Sequence, residues 1–153
     1  MAGGYAARMA DQTESSITIA ASAHEVMAVI ADFEAYPDWN DEVKRVEILS
    51  VYEDSDQPAE VRFVLDAGAI RDDYVLEYDW VADNEVHWRL VSAEMLTAMD
   101  GAYVLTPNGP GSTTASYRLA VDLRIPMIGL IKRKAEKVIV DRALKGLKER
   151  VEG

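Results

Sequence analysis

The sequence predicts an α+β fold: a curved antiparallel sheet of about seven strands wrapped around a long C-terminal helix, with two short helices after the first strand. Three observations carry this. Between Val43 and Leu123, apolar and polar residues alternate through six segments, and the turns between them are short enough for hairpins. From Ile131 every fourth residue is apolar (Ile131, Ala135, Ile139, Ala143, Leu147, Val151), while Arg133, Lys137, Asp141, Lys145 and Glu149 form a charged ridge. A wide sheet with one apolar face must cover that face, and only this helix is large enough to do so.

Residues 1–13 read as a disordered or extension segment, with Met1 to Arg8 lying upstream of a natural second start at Met9, and 14–153 as one domain. Glu14 to Ala20 alternates Ile17 and Ile19 with Ser16 and Thr18, the pattern of a half-buried strand. Ser22 and Glu25 form a capping box that opens a helix with Val26, Val29, Ile30 and Phe33 at helical spacing. His24 falls in its exposed first turn. Pro37 disfavours helical geometry at Tyr36, so a break is expected there, with Phe33, Tyr36 and Trp39 as aromatic anchors around a turn whose polar members could rim an opening.

Six strands follow at Val43 to Glu53, Ala59 to Asp66, Arg71 to Ala82, Glu85 to Val91, Met95 to Thr106 and Ser112 to Leu123. Alternation assigns to the inner face Val46 and Ile48; Val61, Phe63 and Leu65; Tyr74, Leu76, Tyr78 and Trp80; Val86, Trp88 and Leu90; Tyr103 and Leu105; and Tyr117, Leu119, Val121 and Leu123. The last helix is expected over Ile125 to Val151, with Pro126 in its first turn. Met127, Ile128, Leu130 and Ile131 put apolar groups on nearly every side of that turn, so some must line a cavity, a mouth or an interface. Gly146 costs about 1 kcal/mol of helix propensity against Ala.

The formal charge of −11 is uneven: from Pro126 onward there are 8 Lys/Arg against 4 Asp/Glu, and before it 8 against 23. An acidic body disfavours nucleic-acid binding, which needs a basic field. There is no cysteine, which excludes disulfides, thiolate catalysis and cysteine-bound metal, and fits a reducing cytoplasm. No metal site is expected: His24 and His87 lie on separate elements, and Asp72 and Asp73 point to opposite faces of a strand. No serine sits in a nucleophile elbow. The Gly-rich stretch Pro107 to Ser112 lacks the phosphate-loop lysine and reads as a hairpin loop, so no cofactor is implied.

At Asp32-Phe33-Glu34-Ala35-Tyr36-Pro37-Asp38-Trp39 the chain resembles the polyketide cyclase/dehydrase and lipid-transport family, part of the START-like (SRPBCC) helix-grip superfamily. The order of elements matches, and Gly101 to Leu105 and Thr114 to Leu119 are similar to that family's late strands. The resemblance spans Glu14 to Val151 and implies a deep cavity for a hydrophobic ligand between sheet and helix. Its aromatase/cyclase members use a cavity-lining arginine, whereas the stretch Tyr74 to Trp80 has none pointing inward and Arg71 lies at its edge. That departure argues against cyclase chemistry.

The residues expected to line a ligand site are Phe63, Leu65, Tyr74, Leu76, Tyr78, Trp80, Trp88, Leu90, Met99, Tyr103, Tyr117, Met127 and Ile131. Six polar-tipped aromatics need hydrogen-bond partners, which a bound molecule could supply. The reading preferred is a binding protein for a hydrophobic small molecule such as a lipid, isoprenoid or polyketide. Two alternatives stand beside it: a cyclase/dehydratase-type enzyme, and a module that docks through Met127 to Ile131 and the cations Lys132, Arg133 and Lys134 on a membrane, a partner or a second copy.

Overall fold

Seven antiparallel strands form one sheet in the order β1-β7-β6-β5-β4-β3-β2, a meander from β2 to β7 with β1 laid beside its last strand. The computed structural model describes residues 12–68, 70–125 and 128–153. The strands are β1 (Thr13–Ile19), β2 (Val43–Val51), β3 (Pro58–Asp66), β4 (Arg71–Ala82), β5 (Glu85–Ala93), β6 (Leu96–Gly109) and β7 (Ser112–Leu123). Helices α1 (Ala23–Ala31) and α2 (Tyr36–Trp39) follow β1, with a 3-10 turn at Phe33–Ala35 between them, and α3 (Gly129–Glu152) closes the chain. The expected architecture is therefore present, with strand ends shifted by a few residues. The readings on Met1 to Arg8, Pro126 and Met127 lie outside the described residues.

Alternation along the strands is obeyed closely: β3 and β4 bury Val61, Phe63, Leu65, Tyr74, Leu76 and Tyr78 on one face, and Arg62 and Asp73 pair on the other. The capping box at α1 is formed, with Ser22 Oγ accepting from Glu25 N at 3.2 Å and Glu25 Oε1 accepting from Ser22 N at 3.1 Å.

Two boundaries differ from expectation. Tyr36 is helical (φ −52°, ψ −43°), and the break falls earlier, at Asp32 (φ −86°, ψ 72°). Pro37 sits in the first turn of α2, where its missing N–H costs nothing, and Tyr36 Oη donates to Ile30 O at 2.5 Å, folding the turn back on α1. The last helix begins at Gly129 rather than Ile125, because Arg124 N still donates to Met95 O at 2.7 Å and holds the chain to the end of the sheet. The buried ridge accordingly starts at Ala135 and runs through Ile139, Ala143 and Leu147, while Ile131 is 47% exposed.

Helix α3 lies on β1 and β7 and touches α1 and α2. Gly146 faces the Trp39 carbonyl so closely that a Cβ would overlap it, which explains a glycine in mid-helix. Glu136, fully buried, accepts from Thr13 Oγ1 at 2.7 Å and from Val121 N at 2.9 Å. No described helix is long and apolar enough to cross a membrane.

Candidate ligand cavity

The inner face of the sheet, the α2–β2 connection and α3 enclose one cavity. Phe63 and Leu65 come from β3, Tyr74, Leu76 and Tyr78 from β4, Trp88 from β5, Met99 and Tyr103 from β6, and Tyr117 and Leu119 from β7. Tyr36, Asn40 and Val43 form a second wall and Ile139 the helix wall. Each strand residue is placed by the two-residue period, which brings every other side chain to the concave side.

The cavity measures about 50 Å³. That is room for a few waters, each needing roughly 10–15 Å³ on this measure. The expected deep cavity is thus nearly closed by its own rings. Tyr103 and Tyr117 meet at 4.6 Å between centroids, Trp88 packs edge-on against Tyr117 at 5.5 Å, and Phe63 stacks on Tyr74 at 5.6 Å. Trp88 lies across Gly101 of the neighbouring strand.

Among the described residues, the hydroxyls of Tyr74, Tyr78, Tyr103 and Tyr117 have no protein hydrogen-bond partner, unlike those of Tyr36 and Tyr52. Burial pushes all four phenols well above their ordinary range, with smaller contributions from neighbouring tyrosines at Tyr74, Tyr78 and Tyr103. They are therefore neutral donors, the opposite of the lowered pKa that a phenol base near neutral pH requires. Beside these phenols the lining carries the Tyr36 hydroxyl, the Trp88 indole and Asn40, whose Oδ1 accepts from Glu42 N at 3.1 Å. Just outside, buried Glu42 on the α2–β2 connection pairs with Arg142 of α3 at 2.5 Å, joining the two walls that Val43 and Ile139 provide.

Of the residues anticipated from sequence, Phe63, Leu65, Tyr74, Leu76, Tyr78, Trp88, Met99, Tyr103 and Tyr117 line this cavity. Trp80 does not: it is half-buried, donates Nε1 to Pro58 O at 2.8 Å, and lines a surface hollow with Met27 and Gln57. Leu90, half-buried opposite Leu76, is not in the lining, and Ile131 is solvent-facing; Met127 lies outside the described residues. Tyr36, Asn40, Val43, Leu119 and Ile139 were not among the residues expected to line the site. Ile139 was legible as a member of the buried ridge, but the ridge meets the cavity two turns later than its first apolar residue suggested.

The sequence matches the model of the family described as polyketide cyclase/dehydrase and lipid transport over residues 10–152. Among solved structures, a START superfamily protein from Mycobacterium smegmatis is similar at 28% identity and a TM-score of 0.87, covering 92% of this chain and 97% of that one. A protein of Thermus thermophilus follows at 25% identity, TM-score 0.76, with 92% and 97% covered. The Zhui aromatase/cyclase from a Streptomyces species shares the fold at 19% identity, TM-score 0.73, with 92% and 93% covered. No functionally curated protein matches the chain in sequence.

Proposed function

The chain belongs to the polyketide cyclase/dehydrase and lipid transport family, and from that premise we propose that it binds a hydrophobic small molecule carrying oxygen acceptors, of lipid, isoprenoid or polyketide kind, between the sheet and α3. The observation that carries this reading is the set of four unpartnered phenols on a largely apolar lining. These hydroxyls face the cavity, and a molecule presenting carbonyl or ether oxygens to Tyr74, Tyr78, Tyr103 and Tyr117 would accept a hydrogen bond from each, worth about 0.5–1.5 kcal/mol apiece. Pockets that hold drug-sized ligands measure roughly 300 Å³ or more. Uptake therefore requires the walls to part, and the Glu42–Arg142 pair sits where they meet.

Turnover of the cyclase type has less support. The lining contains no arginine, histidine or carboxylate among the described residues, and burial holds the phenols in their neutral form. Neutral phenols orient a carbonyl but do not remove a proton.

Native mass spectrometry of freshly purified protein, repeated after denaturation, tests the binding reading. A small organic mass released on unfolding, and reduced by Trp88→Arg but not by a change on the outer sheet face, is the expected result. A clean apo mass together with no uptake from a panel of fatty acids, isoprenoids and aromatic polyketides would sink it.

A further inference from the structure

Five large apolar side chains are gathered, unburied, at one end of the molecule. Met95 is 37% exposed, Ile125 66%, Ile128 68%, Leu130 80% and Ile131 47%. The bond from Arg124 N to Met95 O fastens the β7–α3 connection to the β5–β6 turn, bringing the two groups together. That turn is itself rigidly held: the buried carboxylate of Asp72 accepts from Glu94 N, Met95 N and Leu96 N at 2.7–3.0 Å. Exposures of two thirds and more belong to side chains that protrude, and a firm base beneath protruding apolar groups is a poor arrangement unless something covers them.

The surrounding charge identifies the cover. Arg124, Arg133 and Lys134 are exposed and, among the described residues, have no ion-pair partner, whereas Lys132 is held by Asp122 at 3.0 Å and Lys137 by Asp141 at 2.6 Å. In a chain of net charge −11, these free cations flank the apolar tip. We propose that this end docks on an anionic lipid bilayer, with Ile125, Ile128, Leu130 and Ile131 entering the interface and Arg124, Arg133 and Lys134 meeting the headgroups. A two-fold contact with a second copy fits worse, since it would bring the same cations together.

Docking here would also have a use. Val43, Leu65, Tyr74 and Met99 of the cavity lie near this end of the sheet, where β2 and β6 begin and β3 ends. A molecule leaving the bilayer would reach the cavity without crossing water. That use rests on the binding reading above; docking itself does not.

Sedimentation with vesicles, without any added ligand, separates the two. The full chain is expected to pellet with phosphatidylcholine vesicles containing phosphatidylglycerol, not with phosphatidylcholine alone, and to be released by high salt. Leu130→Asp should abolish pelleting, and Arg133→Ala and Lys134→Ala should each lower the affinity about fivefold. Val51→Asp, at the far end of β2, is the control at an exposed apolar residue remote from the tip, and circular dichroism verifies that each variant folds. The proposal is overturned if neither vesicle pellets the protein, if Leu130→Asp and Val51→Asp behave alike, or if light scattering finds a dimer that Leu130→Asp dissolves while vesicles remain unbound. None of these results would bear on the mass released in the native mass experiment.

Discussion

The indole of Trp88 lies flat over Gly101, its cross-strand partner, so that a Cβ at position 101 would occupy the ring's place. The absent side chain is what lets Trp88 reach Tyr103 and Tyr117 at 5.5 Å and close the cavity. Gly101→Ala should expel the ring from this seat and push it against its neighbours, costing about 1–3 kcal/mol. Urea unfolding measures the loss, and a shifted tryptophan emission should accompany it. An unchanged midpoint and emission would show that the seat is not needed.

Gly146 and Trp39 make the same kind of argument on the helix, with the sign of propensity reversed. In an exposed helix Gly→Ala gains about 1 kcal/mol. Here the new methyl group would meet the Trp39 carbonyl, so Gly146→Ala should instead lower stability by about 1–3 kcal/mol by forcing α3 away from α2. A thermal melt distinguishes the two, and a rise in Tm would mean that α2 yields easily.

How far the sequence could be read depended on whether a feature is local. Strand alternation is local, and it placed Phe63, Tyr74, Tyr78, Trp88, Tyr103 and Tyr117 on the correct face. The charged ridge of α3 was equally legible, since Arg133, Lys137, Asp141, Lys145 and Glu149 are all exposed. The start of α3 was not, because an apolar run from Ile125 to Ile131 looks the same whether it opens a buried helix or forms a protruding connection. Cavity size was also illegible: it depends on how the rings of Trp88, Tyr103 and Tyr117 rotate and on Gly101 beneath them. Asn40 entered the lining through the path of the α2–β2 connection, which no periodicity reports.

Glu136 marks another limit of local reading. Strand β1 begins at Thr13, opposite Leu119, while Val121 lies two residues further along β7, beside Met99 of β6, and its N–H needs an acceptor. The carboxylate of Glu136 supplies one, and takes the Thr13 hydroxyl as well. Glu136→Leu should leave that N–H unpaired, costing about 1–3 kcal/mol, with faster amide exchange at Val121. Glu136→Gln keeps an acceptor for Val121 and should cost less. Equal exchange rates at Val121 in both variants would count against this role.

The tyrosines set the response to alkali. Burial raises the phenols of Tyr36, Tyr74, Tyr78, Tyr103 and Tyr117 in the folded chain, while in the unfolded chain a phenol ionises near pH 10. Below about pH 10 both states hold the proton and the stabilisation is fully present. Above it the unfolded chain gives up protons that the folded chain retains, so stability falls with rising pH, by up to about 1.4 kcal/mol per pH unit for each such group. Tyr117→Phe removes one titrating group, so its unfolding free energy should decline less steeply than that of the parent chain by about that amount per unit above pH 10. Urea titrations of both proteins at matched pH cancel the contribution of the lysines, which are common to the two. Parallel declines would mean that Tyr117 ionises as readily folded as unfolded, and would require a cavity open to water rather than one closed by its own rings.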